Sequence, residues 1–198
     1  MQVVLASNSP RRKELFKKIC PTFITFPADI TEDVPKNTLP REAVKLLARR
    51  KAEYVFKTLK NTGMVSLSEP VIVLGSDTAV AYENEMLGKP SDETVARNML
   101  KTLSGKTHKV YTGVCFVADG FVITEAEESA VTFKRLTDEE ICAYIATGSP
   151  MDKAGAYGIQ DGAVVEKYTG SYTNIVGLPL ELTEKMYEEV IKNVKIGN

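Results

Sequence analysis

The sequence predicts an α/β domain with a mixed, strongly twisted sheet flanked by helices, because apolar strand-like runs alternate with helical patterns and hairpins. The run 71–74 is continuously apolar, as expected for a central strand buried on both faces. The segments 110–118 and 121–133 are predicted as two long strands joined by Asp119-Gly120, a strong hairpin signal. A chain of 198 residues suits one domain over 1–198 and can bury a sizeable core.

Composition and charge exclude several classes of protein. The chain is 43% hydrophobic and 26% charged with a net charge of −1, so it has no general basic field and we expect no nucleic-acid partner. Its three cysteines are an odd number without zinc-site spacing, which favours a reducing compartment. No signal peptide and no apolar run of membrane-spanning length is apparent, so we expect a cytoplasmic protein with no membrane partner.

The first strand and helix carry the strongest functional signal. A strand at 3–5 leads into a helix in which Ser9 is the predicted N-cap and Pro10 the first helical residue. Arg11 and Arg12 then lie in the first turn, where the helix N-terminus already carries partial positive charge. One alternative is an ordinary helix start with solvated arginines. The free N–H groups, hydroxyls and two guanidinium groups instead favour a site for a phosphate chain.

An acidic loop and a long helix follow. After a short strand at 23–26, the loop 29–35 holds three carboxylates, a pattern that by itself is typical of a surface loop. The next helix is predicted over 39–59 with Thr38 as its cap. Its basic cluster at 49–51 is most simply a solvated face. The residues alone therefore assign neither segment a function.

The buried run at 71–74 is predicted to end in a Gly-Ser-Asp-Thr segment, which places Asp77 just past the end of a central strand. Open α/β sheets carry their chemistry at this edge, so we favour a functional acid over a residue that caps its own backbone. A hairpin at 80–87 follows. Lys89 then stands between Gly88 and Pro90, whose restricted backbones would fix it as a phosphate contact.

The second half of the chain is less specific. Its predicted elements are a helix capped by Ser91, a helix opened by a capping box at Thr137, a hairpin of 164–168 with 172–176, and a last helix over 179–194. The segment 151–162 is polar, rich in glycine and long for a connector, so it is either an active-site loop or a flexible surface loop. His108 has no partner for a catalytic triad and is assigned no role.

Five motifs occur in order along nearly the whole chain: Leu5-Ala6-Ser7-Asn8-Ser9-Pro10-Arg11-Arg12, Gly75-Ser76-Asp77-Thr78, Gly88-Lys89-Pro90, 152–160 and Val176-Gly177-Leu178-Pro179. Together they resemble the signature of the Maf family of nucleoside triphosphate pyrophosphatases. The resemblance implies an elongated fold similar to that of inosine triphosphate pyrophosphatases, with two lobes and a central cleft. It also suggests a homodimer.

The resemblance further implies hydrolysis between the α- and β-phosphates of a nucleoside triphosphate. Asp77 is the expected proton acceptor from the attacking water, and Glu32 with Asp77 would hold a divalent cation, Mg²⁺ or Mn²⁺. The residues expected in catalysis are Glu32, Lys51, Asp77 and Lys89, and those expected to bind substrate are Ser7, Ser9, Arg11, Arg12, Thr78 and Gln160.

Three positions separate two branches of this family by substrate. Arg11, Thr78 and Gln160 follow the pattern of the branch that cleaves dTTP and UTP, whereas the 7-methyl-GTP branch tends to have a bulky aromatic residue, glutamine and glutamate there. A neutral amide donates and accepts, which suits the edge of uracil or thymine. The alternatives are 7-methyl-GTP cleavage and a non-catalytic nucleotide-binding regulator of cell division. The retained acidic and basic residues argue against a catalytically inactive protein.

Overall fold

A computed structural model describes residues 1–64 and 69–196 and shows a mixed α/β fold. The strands are β1 (Gln2–Leu5), β2 (Ile24–Thr25), β3 (Val71–Tyr82), β4 (Glu85–Leu87), β5 (Thr107–Ala118), β6 (Phe121–Phe133) and β7 (Val165–Thr169). The helices are α1 (Pro10–Lys17), α2 (Pro40–Thr62), α3 (Glu93–Leu103), α4 (Asp138–Ala146), α5 (Tyr172–Val176) and α6 (Leu180–Ile196), and three 3₁₀ turns lie at Ser149–Asp152, Ala154–Ala156 and Ile159–Asp161. None of the helices in these two ranges combines the length and the hydrophobicity that a membrane span requires.

All the described strands belong to one sheet in the order β2-β1-β3-β5-β6-β7, with β4 paired to the far end of β3. β1 runs parallel to both of its neighbours, and α1 and α2 supply the crossovers that parallel strands need. The pairs from β3 to β7 are all antiparallel. The sheet is therefore mixed, as the sequence predicts.

α2 packs closely against β3 and β5, most closely at two glycines of these strands. Gly75 on β3 makes this possible, because an added Cβ there would overlap the carbonyl oxygen of Ala48 in the helix. Gly113 on β5 meets the helix backbone in the same way. Since only glycine leaves this space free, these two positions bring Lys51 of α2 within reach of Asp77 on β3.

A polar band interrupts the core on the opposite face of the sheet. Along β3, Leu74 belongs to the apolar cluster formed with α1 and α6, whereas Val80 belongs to a second cluster formed with α3 and α4. Between them, Ser76 and Thr78 point the same way, because side chains alternate along a strand. Thr112 on β5 pairs directly with Thr78. The band lies between the two apolar clusters, and Thr78 lines a cleft there.

The structure corrects two predicted elements. The segment predicted as the second strand of a hairpin at 172–176 is helix α5, in which Ser171 accepts a hydrogen bond from the N–H of Asn174 as the N-cap. Its β-branched residues favour a strand locally, but the cap and the burial of Asn174 favour the helix. Asp77 does not follow the end of its strand, because β3 continues to Tyr82.

Two predicted helix caps are also wrong, each by one residue. Leu39 occupies the N-cap position of α2 without a side-chain hydrogen bond, while the Thr38 hydroxyl donates to the carbonyl of Pro35. Asp92 rather than Ser91 caps α3 by accepting from the Val95 N–H. The capping box at the start of α4 and the hairpin between β5 and β6 are confirmed.

We expect Gly75→Ala to destabilise the protein, by about 1–3 kcal/mol or more, because the new methyl group forces α2 away from the sheet. Gly88→Ala is the matched control, since a Cβ at Gly88 meets no atom within 4 Å. Urea unfolding of both variants and the parent measures the effect. Equal stability of the two variants would contradict the close-packing argument.

Candidate active site

The predicted site residues lie around one continuous cavity. Nine of the ten line a cleft of about 810 Å³: Ser7, Ser9, Arg11, Arg12, Glu32, Lys51, Asp77, Thr78 and Lys89. The tenth, Gln160, lines a narrower pocket of about 140 Å³. Arg12, Thr78 and Lys89 line both spaces, so the pocket adjoins the cleft.

Lys51 joins the two predicted acids at the cleft. Its Nζ lies 2.6 Å from Oδ1 of Asp77 and 2.6 Å from Oε1 of Glu32. Lys51 and Asp77 are 9% and 8% exposed, whereas Glu32 reaches in from the acidic loop. Partial burial raises the pKa of Glu32, but the hydrogen bond and charge of Lys51, with Lys89 and Arg12, outweigh it and hold the pKa below its ordinary value. Glu32 is therefore an anion at neutral pH.

The carboxylates of Glu32 and Asp77 suit a divalent cation. Glu32 and Asp77 converge on one nitrogen, so their oxygens already surround a position that favours positive charge. No group of three or more His, Cys, Asp or Glu side chains with metal-binding potential occurs in residues 1–64 and 69–196. The pair fits Mg²⁺, which is commonly held by one or two carboxylates together with substrate phosphates and water. It does not form an all-protein cage.

The turn between β1 and α1 presents hydrogen-bond donors at the start of a helix. The hydroxyl of Ser9 caps α1 by accepting from the N–H of Arg12 at 3.4 Å, and Ser7 Oγ accepts from the N–H of Ser9 at 3.2 Å. Both serine oxygens therefore act as acceptors, and neither hydroxyl donates to another group within the described part of the chain. Their protons remain available to phosphate oxygens at the positive end of the helix.

The two arginines of α1 have different environments, although the sequence treats them alike. Arg12 donates from Nε to the carbonyl of Gly177 at 2.9 Å and from Nη2 to Thr78 Oγ1 at 3.0 Å. Burial lowers the pKa of Arg12, and the negative charge of Asp77 offsets only part of this effect. The guanidinium nevertheless stays protonated, as it does in proteins generally. Two hydrogen bonds therefore fix a cation in the cleft.

Arg11 instead contacts the segment 151–162. Its Nη1 lies 3.2 Å from Oδ2 of Asp152, which also pairs with Lys153 at 2.8 Å. Burial raises the pKa of Asp152, but Lys153 and Arg11 more than offset this and leave it below its ordinary value. This ion pair links α1 to the loop that carries Gln160. The segment is thus a wall of the cavity, which favours the active-site interpretation of this loop.

The narrow pocket combines an apolar wall with a larger number of polar and charged groups. Val80, Val110 and Ile175 belong to the apolar wall. The polar and charged lining residues are Ser9, Arg11, Arg12, Thr78, Lys89, Asp152, Lys153, Tyr157 and Gln160. The pocket therefore offers an apolar surface and hydrogen-bonding groups side by side.

Tyr144 of α4 anchors the loop around Gln160 through two hydrogen bonds. The Tyr144 hydroxyl accepts from the N–H of Gly158 at 3.0 Å and donates to Asp161 at 2.5 Å. Because these bonds lie on both sides of Gln160, they define the backbone from which its amide reaches the pocket.

His108, to which the sequence assigned no role, contacts Tyr157, a residue that lines this pocket. It is 2% exposed, and its Nε2 lies 2.8 Å from the hydroxyl of Tyr157. The ring also packs edge-on against Phe133 and Tyr157. Burial lowers the pKa of His108 to about 4, so the imidazole is neutral at physiological pH.

Sequence reasoning missed several other residues that shape the site: Thr112, Tyr157, Asn174 and Gly177. Two of them, Tyr157 and Gly177, lie in motifs or segments that the sequence singles out. The contacts of all four, however, use backbone carbonyls or partners on distant strands. No local pattern indicates such contacts.

Comparison with known proteins shows the family of this chain. The family model described as Maf-like protein matches residues 2–190. The chain belongs to the Maf family. A dTTP/UTP pyrophosphatase of Thermococcus onnurineus is 44% identical over 94% of this chain and 96% of its own length. The dTTP/UTP pyrophosphatase of Desulfitobacterium hafniense is 47% identical over 92% of this chain and 82% of its own length.

Among solved structures, the Staphylococcus aureus Ham1 protein aligns with this Maf family chain at 18% identity and a TM-score of 0.42. The alignment covers 68% of this chain and 73% of that chain.

We expect acid to destabilise the protein through His108. The unfolded chain binds a proton near the ordinary pKa of 6.5, whereas the folded pKa is about 4. The contribution of neutral His108 to the free energy of unfolding is therefore fully present above the pKa of the unfolded chain. It falls by about 3 kcal/mol as the pH drops from about 7 to about 4. Urea unfolding of the parent and of His108→Gln at both pH values isolates this contribution. A stability difference between them that does not change with pH would contradict it.

Proposed function

We propose that this chain is a nucleoside triphosphate pyrophosphatase that hydrolyses dTTP and UTP to the monophosphate and pyrophosphate. The observation that carries the proposal is the buried Lys51, which links Asp77 and Glu32 in a cleft whose other residues include Arg12 and Lys89. Acids and cations in this arrangement suit a triphosphate and an attacking water. The names of the relatives support the same activity.

The phosphates would lie in the wide cleft. A triphosphate brings about four negative charges, and catalysis of phosphoryl transfer consists mainly of positioning and charge neutralisation. The guanidinium of Arg12 is fixed by two hydrogen bonds, and its other guanidinium N–H groups make no bond to residues that the structure describes. Together with Lys89 and the hydroxyls of Ser7 and Ser9, it would bind the phosphate oxygens.

Asp77 would take the proton from the attacking water. Its Oδ1 is held by Lys51 and the carboxylate lies on a buried strand, so its orientation is defined before substrate binds. Attack at the α-phosphorus would release pyrophosphate towards Arg12 and Lys89. A fixed base avoids the entropic cost of ordering the acid during the reaction.

A divalent cation, Mg²⁺ or Mn²⁺, would be held by Glu32 and Asp77 and by phosphate oxygens. When bound, such an ion neutralises phosphate charge and orients the reacting groups. Lys51 would then keep both carboxylates pointed at a common centre. Glu32 is anionic at neutral pH, which is the form that binds a metal ion.

The nucleobase of the substrate would enter the narrow pocket. Gln160 offers both a donor and an acceptor, as the edge of uracil or thymine requires. Thr78 and Arg11 line the same pocket, so the three residues expected to select the base meet there.

We expect Asp77→Asn to lower kcat about 10²–10⁴-fold, the usual cost of losing a general base. The variant should fold, because Lys51 keeps Glu32 as a partner. Asp119→Asn is the control, since Asp119 pairs with Lys60 at the β5–β6 turn outside the cleft. Pyrophosphate release from UTP with Mg²⁺ gives the rates. Near-parental turnover by Asp77→Asn would show that Asp77 is not the base.

The nucleotide preference tests the proposed function directly. We expect kcat/KM for dTTP and UTP to exceed that for GTP and 7-methyl-GTP, because unpaired polar groups in a site penalise the wrong base strongly. The combined variant Arg11→Trp, Thr78→Gln and Gln160→Glu should move the preference towards 7-methyl-GTP. A parent that favours 7-methyl-GTP would refute the proposal, and an unchanged preference in the combined variant would remove these side chains from base selection.

A further inference from the structure

A chain of hydrogen bonds leads from the cleft into the core. Arg12 Nη2 donates to Thr78 Oγ1 at 3.0 Å, and that oxygen lies 3.0 Å from Thr112 Oγ1 on the neighbouring strand. Thr112 Oγ1 in turn donates to the backbone carbonyl of Asn174 in α5 at 2.9 Å. This series of hydrogen bonds therefore connects Thr78 of the proposed nucleobase pocket to Thr112, which touches no substrate.

The direction of every bond in this chain is determined by its ends. A carbonyl can only accept, so the single hydroxyl proton of Thr112 is committed to Asn174. Thr112 must then accept from Thr78, which commits the proton of Thr78 as well. Arg12 can only donate, so it occupies one lone pair of Thr78. The second lone pair is all that the Thr78 hydroxyl can offer to a ligand.

Burial prevents water from acting as a hydrogen-bond partner of Thr112 and Asn174. Thr112 and Asn174 are both 0% exposed, so water cannot replace a missing partner. The amide of Asn174 is itself fixed, with Nδ2 donating to the carbonyl of Val110 at 3.1 Å and to Ser129 Oγ at 2.9 Å. The acceptor that orients Thr112 is consequently held by the fold and does not adapt to the bound nucleotide.

We propose that Thr112 is a positioning residue that sets the base preference of the enzyme by fixing the Thr78 hydroxyl as a hydrogen-bond acceptor. The inference rests on the proposed function and deepens it. Thr78 lines both the cleft and the narrow pocket, so its free lone pair can face the base. Uracil and thymine present an N3–H donor to such a group. Cytosine presents a lone pair at N3 instead, so neither this nitrogen nor the Thr78 oxygen, both acceptors, finds a donor.

The test compares kcat/KM for UTP and CTP in the parent, in Thr112→Val and in Thr112→Ser. The parent should favour UTP. Thr112→Val frees the Thr78 proton to point into the pocket, so the UTP/CTP ratio should fall at least about tenfold, within the range for polar mismatches in a site. Thr112→Ser keeps the hydroxyl and should keep the ratio within about twofold. Thr107→Val is the matched control, because Thr107 pairs with Thr132 at the exposed end of β5.

The outcomes separate the two levels of the proposal. A parent that cleaves neither UTP nor dTTP overturns the proposed function and this inference with it. A folded Thr112→Val with the parental ratio, or a Thr112→Ser that loses the ratio, overturns the role of Thr112 alone. If thermal unfolding shows that Thr112→Val does not fold, Thr112→Cys replaces it with the same expectation, because a thiol is a weak donor and acceptor.

Discussion

The contact of Lys51 with Asp77 and Glu32 is the interaction on which the site depends. An ammonium that is 9% exposed requires negative partners, because an isolated buried charge is strongly unfavourable. The fold supplies two such partners to Lys51 of helix α2: Asp77 from strand β3 and Glu32 from the acidic loop. The approach of α2 to the sheet, which Gly75 permits, sets how close these elements come. Packing in the core and chemistry in the cleft therefore share one geometric constraint.

A second constraint comes from the opposite face of the same strand. β3 directs Asp77 towards α2 and Thr78 towards α1 and α5, since successive side chains point to opposite faces. Arg12 meets Thr78 and the carbonyl of Gly177 there, so α1, β3 and the end of α5 are fixed relative to one another. One strand thus supplies the acid on one side and part of the lining of the narrow pocket on the other.

The sequence predicts most strands, the β5–β6 hairpin and the first turn of α1, because these follow local rules. Ser9 at the start of α1 and the capping box at Thr137 are determined by residues within one turn. The predicted strand at 172–176 failed because the burial of Asn174 depends on β5 and β6. The contacts of Thr112 and His108 are equally non-local. Such residues look like ordinary strand residues until the tertiary structure places them beside the site.

The most direct test is a crystal structure of the chain with Mg²⁺ and a UTP analogue in which a methylene replaces the α–β bridging oxygen. The account predicts that the α-phosphorus lies beside Asp77, that the outer phosphates contact Arg12 and Lys89, and that uracil occupies the narrow pocket with Gln160. Uracil over Asp77, with the phosphates in the narrow pocket, would contradict it.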